Sequence, residues 1–390
     1  MGQLEHRSVK HDSMKRANLL NLLDVVRNHG PLTKKDIQAK SGLSWGAVSG
    51  ISAELLAKKI LTEEKESNGA MGRTPALLNI NGEDNLIVGL DINVSGLTAL
   101  VTDLKCGVRY KDTQTLSDFH KDAVLSRVGG LISSVLNNAR QKKILGIGVA
   151  MQGSVDAKNG ISRFSPFFDG WRDVPLQTIL EDATGLPVMV AHDPNCTALA
   201  EKWVGCAQSG SDFLLIRMSF GIGMGIVQHG EIYDGYDGAA GEVGHMTVEP
   251  GGEPCPCGSR GCLEMYCSGR GVLRQLEKRG VTGVSVKEAA EEALIGREPY
   301  KCVFEDAGRY LGLAAVSLNN LFNPQFIVIS GDLPGYQSLM LPSMNETLLS
   351  CRGRFAPVNL LESSLSDAAA LGAAVLIAQK IFSGQDIKIL

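Results

Sequence analysis

The chain lacks a membrane span. Nothing in its 390 residues approaches the roughly 20 consecutive apolar positions that a bilayer-crossing helix needs. The opening Met1-Gly2-Gln3-Leu4-Glu5-His6 lacks the charged-then-apolar order of a secretory leader, and position 6 is not the Ser or Thr of a myristoylation context. Low-complexity tracts and short-period repeats are missing too, which excludes a solenoid. So is an even set of cysteines: there are nine, and Cys255, Cys257, Cys262 and Cys267 fall close together. That pattern excludes a disulfide scaffold and indicates a reduced, cytoplasmic protein with a metal site. Net charge is small, at −4, which at first sight argues against a nucleic-acid binder. The average hides an asymmetry. Residues 1–80 hold 12 Lys+Arg against 8 Asp+Glu, whereas the remainder holds 26 against 34. A basic head on an acidic body is what the composition contains.

The head has a helical pattern. Leu19, Leu20, Leu22, Leu23 and Val26 recur at helical spacing until His29-Gly30-Pro31. Thr33 is placed to cap a short helix over 34–40, and Ser44 a third helix running to about Lys59. On that third helix Val48, Ile51 and Leu55 share one face, with Trp45, Gly46, Ser49 and Ser52 assigned to the other. The short Gly42 turn between the two helices makes a helix-turn-helix pattern. A hairpin from 60–62 and 76–80, with its tip at 67–75, completes a winged helix-turn-helix of about 80 residues.

From residue 86 the pattern is strand, strand, helix, strand, which indicates an α/β domain with a mixed sheet. Strands are expected at 86–92, 99–104, 144–150, 187–191, 213–218, 224–228 and 326–330. Helices are expected at 123–142, 195–203, 269–279, 286–294, 303–321 and 367–381.

The densest chemical signal is His245 followed by Cys255, Cys257 and Cys262. One imidazole and three thiolates form a soft four-donor set that suits a closed, structural zinc site. Cys267 is expected to be a packed thiol. A fully ligated zinc is not catalytic; it fixes the backbone that carries Glu242, His245 and Glu264.

These motifs resemble the ROK family of repressors, open reading frames and kinases. The resemblance rests on Glu242-Val243-Gly244-His245, on Cys255-Pro256-Cys257-Gly258-Ser259-Arg260-Gly261-Cys262-Leu263-Glu264, on Val88-Gly89-Leu90-Asp91-Ile92, on Met151 to Asp156, on Gly170-Trp171, on Ala191 to Asn195 and on Gly221 to Gly225. It spans residues 86 to about 380. It implies an α/β fold: a winged helix-turn-helix at 1–82, then a two-lobed, actin-like (ribonuclease H-like) ROK domain at 83–390. The lobes would be 83–200 plus the C-terminal helix from about 367 to 390, and 201–366. Sugar would lie in the cleft, contacted by Gly153, Asp193, Glu242, His245 and Glu264, with Asp193 standing where the kinases place their general base.

The family divides into sugar kinases and sugar-responsive repressors, the latter including xylose and N-acetylglucosamine repressors. Kinases carry Asp-x-Gly-Gly-Thr at the first strand turn, where this chain has Asp91-Ile92-Asn93-Val94-Ser95. Phe220 stands in the second phosphate loop where a small residue is usual, and Ser330-Gly331 where a Gly-Gly pair is usual. Phe167 replaces a hydroxyl-binding Asn, and a phenyl ring can stack on a sugar but cannot take its hydroxyl bonds. The departures on the nucleotide side and the N-terminal head favour a repressor without catalysis; a kinase fused to a DNA-binding head is the alternative. The expected partners are a double-stranded DNA operator, a small sugar effector and a second copy of the chain, as a homodimer or dimer of dimers. No membrane partner is expected. On the DNA side the expected contacts are Lys34, Lys35, Ser44, Trp45, Ala47 and Ser49, with Arg73 of the Gly72-Arg73-Thr74-Pro75 wing tip in the minor groove.

Overall fold

The computed structural model describes residues 2–65, 76–139, 142–332, 336–351 and 358–382; at 2–14, 16 and 65 it describes the backbone alone. The head is built from α1 (Gly2–His29), α2 (Lys34–Ser41) and α3 (Trp45–Ala57), followed by an antiparallel hairpin of β2 (Leu61–Lys65) and β3 (Ala76–Ile80). The two-residue strand β1 (Leu32–Thr33) pairs with the other side of β3. Thr33 closes a capping box: its Oγ1 accepts from the Asp36 N–H, and Asp36 accepts from the Thr33 N–H. Ser44 Oγ accepts from the Ala47 N–H and starts α3. Leu22, Leu23 and Val26 of α1 meet Ile37, Val48, Ile51 and Leu55 in one core. Ser52 faces that core and is fully buried, so it belongs to the inner face of α3 and not to the outer face assigned from spacing. The hairpin tip, Arg73 included, lies outside the described residues.

The body contains two five-stranded sheets. The first comprises β4 (Asn85–Asn93), β5 (Gly96–Asp103), β6 (Val108–Gln114), β7 (Lys143–Met151) and β11 (Val188–His192), with α4 (Lys121–Asn138) between β6 and β7. A small sheet of β8 (Ser154–Asp156), β9 (Ile161–Phe164) and β10 (Arg172–Val174), then α5 (Leu176–Thr184), lies between β7 and β11 in sequence. After α6 (Asp193–Val204) comes the second sheet: β12 (Phe213–Met218), β13 (Ile222–Gln228), β14 (Glu231–Ile232), β15 (Phe326–Gly331) and β16 (Asn359–Glu362). Its helices are α7 (Glu264–Cys267), α8 (Gly269–Lys278), α9 (Val286–Leu294), α10 (Tyr300–Phe322) and α11 (Tyr336–Cys351). The chain returns as α12 (Ala368–Phe382) to pack on the first sheet.

The two sheets have the same plan. Their orders are β6-β5-β4-β7-β11 and β14-β13-β12-β15-β16, each with two antiparallel pairings followed by two parallel ones. The body is therefore a duplicated mixed α/β unit, a repeat of architecture that no short-period sequence repeat announces. Between the sheets run α6 and α12. Gly372 allows their backbones to meet, because a Cβ there would sit 1.6 Å from the Cys196 carbonyl oxygen. On its other side α6 packs on β12 and β13, with Ala198 joining Phe213, Leu215 and Val227.

Candidate functional site

Four donor atoms converge at the edge of the second lobe. A 3-10 turn at Val243–His245 carries the imidazole, and the following loop carries Cys255, Cys257 and Cys262. All four ligand atoms lie within 4.8 Å of one another. Cys255 Sγ is 3.7 Å from His245 Nδ1, and Cys257 Sγ is 3.7 Å from Cys262 Sγ. With metal–sulfur bonds of about 2.3 Å, the edges of a tetrahedron are about 3.7 Å, so the donors fit one tetrahedral ion. Cys267, on α7, is kept apart: fully buried, it donates to the Ala307 carbonyl. The Nδ1 of His245 faces the sulfurs, which leaves Nε2 for the other side of the ring.

That other side is a cavity of about 510 Å³ between the lobes. Gly153, Asp193, Glu242, His245 and Glu264 all line it, so the five residues assigned from the sequence are brought together. Asp193 opens α6 and is buried, with His192 Nε2 3.4 Å from its Oδ1. Glu264 opens α7, two residues after the last cysteine, and is buried as well; Glu242 and His245 are exposed to the cavity side. Gly153 also has a backbone reason of its own. Its φ is +102°, and a Cβ there would sit 2.3 Å from the Phe164 carbonyl oxygen, so the backbone itself demands glycine.

Two residues that departed from the family pattern meet one another. Phe167, on the loop between β9 and β10, packs edge-on against Phe220 from the β12–β13 turn, ring centroids 5.6 Å apart. The Arg270 guanidinium lies over both rings, at 4.9 Å from Phe167 and 5.6 Å from Phe220, and 3.7 Å from Glu264. The ring of Phe167 is therefore engaged across the cleft, and the two changes form one contact between lobes.

At the floor of the cleft sits Arg217, a residue the sequence reading passed over. It occupies the apolar strand Phe213-Leu214-Leu215-Ile216-Arg217-Met218, and that isolated charge in a buried run was the available signal. Its Nη1 pairs with Asp193, its Nη2 is 3.0 and 3.1 Å from the two oxygens of Asp332, and the same Nη2 is 3.6 Å from Asp91. Burial pushes the Asp91 carboxyl up to about 7; Arg217 opposes that rise, and Asp332 and Asp193 add to it. Burial works against the charge of Arg217, but Asp332, Asp193 and Asp91 outweigh it and hold the guanidinium charged.

The turn after β4 has its donors in use. The Val94 N–H donates to Gln152 Oε1 at 2.9 Å, and the Ser95 N–H to Asn93 Oδ1 at 2.8 Å. Asn93 Nδ2 in turn donates to Asp91. These internal partners satisfy the backbone groups that a phosphate-binding turn leaves free.

In the head, Trp45 is 49% exposed and Ser44 is exposed, both at the N-terminal end of α3. Lys35 is exposed, and Lys34 and Ser49 are half-buried. Ala47 is half-buried too, packed in part against the head's own core. Among the described residues no helix is long and apolar enough to cross a membrane.

The profile of the ROK family matches residues 87–380. The xylose repressor of Bacillus subtilis (strain 168) is 26% identical over 341 residues, covering 86% of this chain and 88% of the repressor. A crystal structure of a ROK family transcriptional regulator, a homolog of the E. coli MLC protein, is 27% identical with a TM-score of 0.83; 95% of this chain and 97% of that one align. A ROK family glucokinase from Streptomyces griseus, crystallised with glucose and AMPPNP, is 27% identical with a TM-score of 0.70, and covers 75% of this chain and 99% of its own.

Proposed function

The chain belongs to the ROK family, and on that premise we propose that it is a sugar-responsive DNA-binding transcription regulator, a repressor of carbohydrate-utilisation genes that a sugar effector releases from its operator. The observation that carries the reading is one helix with a different job at each end. Asp193, the first residue of α6, lines the sugar cavity. Ten residues on, about 15 Å along the axis at 1.5 Å per residue, Trp203 holds the head: the Arg27 guanidinium of α1 lies 4.2 Å over its ring, and Phe382 of α12 packs edge-on at 5.7 Å.

We take residues 1–82 as the DNA-binding unit and 83–390 as the sugar-binding body. Lys34, Lys35, Ser44, Trp45, Ala47 and Ser49, with Arg73 of the wing, are the proposed DNA contacts. The near absence of charge on α3 means that useful affinity requires two heads, so a homodimer on a palindromic operator is the expected assembly. Asp193, Glu242, His245 and Glu264 supply hydroxyl acceptors and one imidazole nitrogen to the sugar. We assign zinc to His245, Cys255, Cys257 and Cys262; with all four positions held by protein it supplies rigidity and no chemistry. The rival reading, a sugar kinase with a fused head, is weakened by the satisfied N–H groups of Val94 and Ser95 and by the pairing of Asp193 with Arg217.

A thermal-shift panel of neutral pentoses, hexoses and amino sugars tests the site. One class is expected to raise the melting temperature, and Asp193→Ala to abolish the rise. A coupled ATPase assay over the same panel is expected to show no sugar-dependent turnover; clear turnover would sink the non-enzyme reading. The route through α6 has its own test. Trp203→Ala should bind operator within about threefold of the unchanged chain yet fail to release it on sugar addition, because about 1 kcal/mol of coupling is enough to lose a fivefold response. Normal release by that variant in a mobility-shift titration would remove α6 from the route.

A further inference from the structure

Three carboxylates and one guanidinium share the cleft floor, and they come from separate parts of the fold. Asp91 is on β4 of the first sheet, Asp193 opens α6 between the sheets, and Asp332 follows β15 of the second sheet. All three contact Arg217, which is 4% exposed. Arg217 also lines both cavities of the cleft: the sugar cavity, and a second one of about 530 Å³ walled by Asp91, Asn93, Ser95, Asp332 and the hydroxyl-rich segment 363–366. It is the partition between them. Three carboxyl groups face one guanidinium. The excess is visible in one atom: Asp91 is 7% exposed, and its Oδ1 is buried with no hydrogen-bond partner.

Several carboxylates drawn around one positive charge are what a hard divalent cation binds; here they flank the two arms of the guanidinium, Asp193 at Nη1 and Asp332 and Asp91 at Nη2. A guanidinium fills the same position with charge, with a planar fork that matches carboxylates, and with no proton to lose. We propose that Arg217 is the resident cation of this cleft: it occupies the position that Asp91, Asp193 and Asp332 would otherwise give to a divalent metal, and so makes the cleft selective for a neutral sugar over a metal–polyphosphate complex. The pairing of Asp193 follows from the same arrangement. Its Oδ2 is held by Arg217 and accepts no proton from a substrate, while its Oδ1 faces His192. Arg217 is thus a specificity-determining residue, and the inference stands on these contacts whether or not the chain proves to be a repressor.

The test is Mn²⁺ binding to the zinc-loaded, full-length chain, read by the loss of the free-ion electron paramagnetic resonance signal. The unchanged chain is expected to bind no Mn²⁺ in the cleft. Arg217→Ser should gain one site about tenfold or more tighter than any in the parent, and adding Asp332→Asn should remove it. Arg217→Lys, which keeps a charge there, should stay closed to the ion. A folded Arg217→Ser chain with no gain in Mn²⁺ binding overturns the proposal. Asp91→Asn decides the matter without touching the arginine. With an arginine as resident cation, removing one of three carboxylates should leave the melting temperature equal or higher, with or without Mn²⁺. If instead the unchanged chain binds one Mn²⁺ that Asp91→Asn abolishes, the metal is the resident cation and the proposal fails.

Discussion

Replacing Gly148 by alanine is expected to cost about 4 kcal/mol, at the exceptional end for a single methyl, and to lower the melting temperature by about 10 °C. The position lies in the middle of β7, against α12. A Cβ there would sit 1.7 Å from the Ala373 carbonyl oxygen and 2.4 Å from its carbonyl carbon. Both are backbone atoms of a buried helix, so no side chain can swing aside. Relief requires moving α12, and α12 cannot move alone. A Cβ on Gly89 of neighbouring β4 would sit 2.0 Å from the Ala370 oxygen, and Gly372 faces α6. Overpacking of an adaptable core costs about 1–3 kcal/mol; here three backbone approaches must be relieved together. Because α6 carries Asp193, the variant should also lose its response to sugar. Gly130→Ala is the control. That glycine lies on the exposed face of α4 with nothing within 4 Å of the added methyl, and the change should stabilise by about 1 kcal/mol through helix propensity. Equal melting temperatures for Gly148→Ala and the parent would refute the account of how α12 is seated.

Removal of the metal is expected to have the second large effect. Stripping the full chain with a chelator, or Cys262→Ser, should abolish the sugar-induced thermal shift altogether and lower the melting temperature. The segment between His245 and Cys262 has little regular structure, being held by isolated bridges between Thr247 and Cys262 and between Pro254 and Arg260. Without an ion, the polar donors of four side chains would have to be satisfied within 4.8 Å of one another. The same segment forms one wall of the cleft cavity proposed to hold the sugar, through His245, Pro256 and Cys257. Binding free energy for a closed site of this kind is folding free energy, of order 10 kcal/mol in small zinc peptides and less where the fold has other support. Elemental analysis should find close to one zinc per chain, and zinc should restore the sugar response of the stripped protein. A metal-free preparation with an intact response would end the assignment.

Part of this was legible before any coordinates. The metal donors stand within 18 positions, and glycines let so short a stretch close on itself. Thr33 and Ser44 announce their helices because a cap satisfies donors within three residues. Central strands such as β4, β7 and β12 show as apolar runs. Other elements were hidden for identifiable reasons. The edge strand β6 is half exposed and polar, and carries no apolar run. Helix α11 contains Pro342, a helix breaker by local rules, and is held by its packing on α10, where Gly308 and Gly312 admit its backbone. Neither signal is local.

By itself the sequence determined the central strands and the capped helices, the four donors of the candidate metal site and the five residues that line the cleft cavity. Those properties depend on neighbours a few positions apart, where spacing and chemistry decide the outcome. Tertiary structure alone decided which departures belong together. Phe167 and Phe220 are far apart in the chain and form one contact across the cleft. Arg217 gathers Asp91, Asp193 and Asp332 from both sides of the fold, and Trp203 receives Arg27 from the head. These pairings exist because two copies of one sheet plan close around α6 and α12, and closure of that kind is a property of the packed chain and of no single segment.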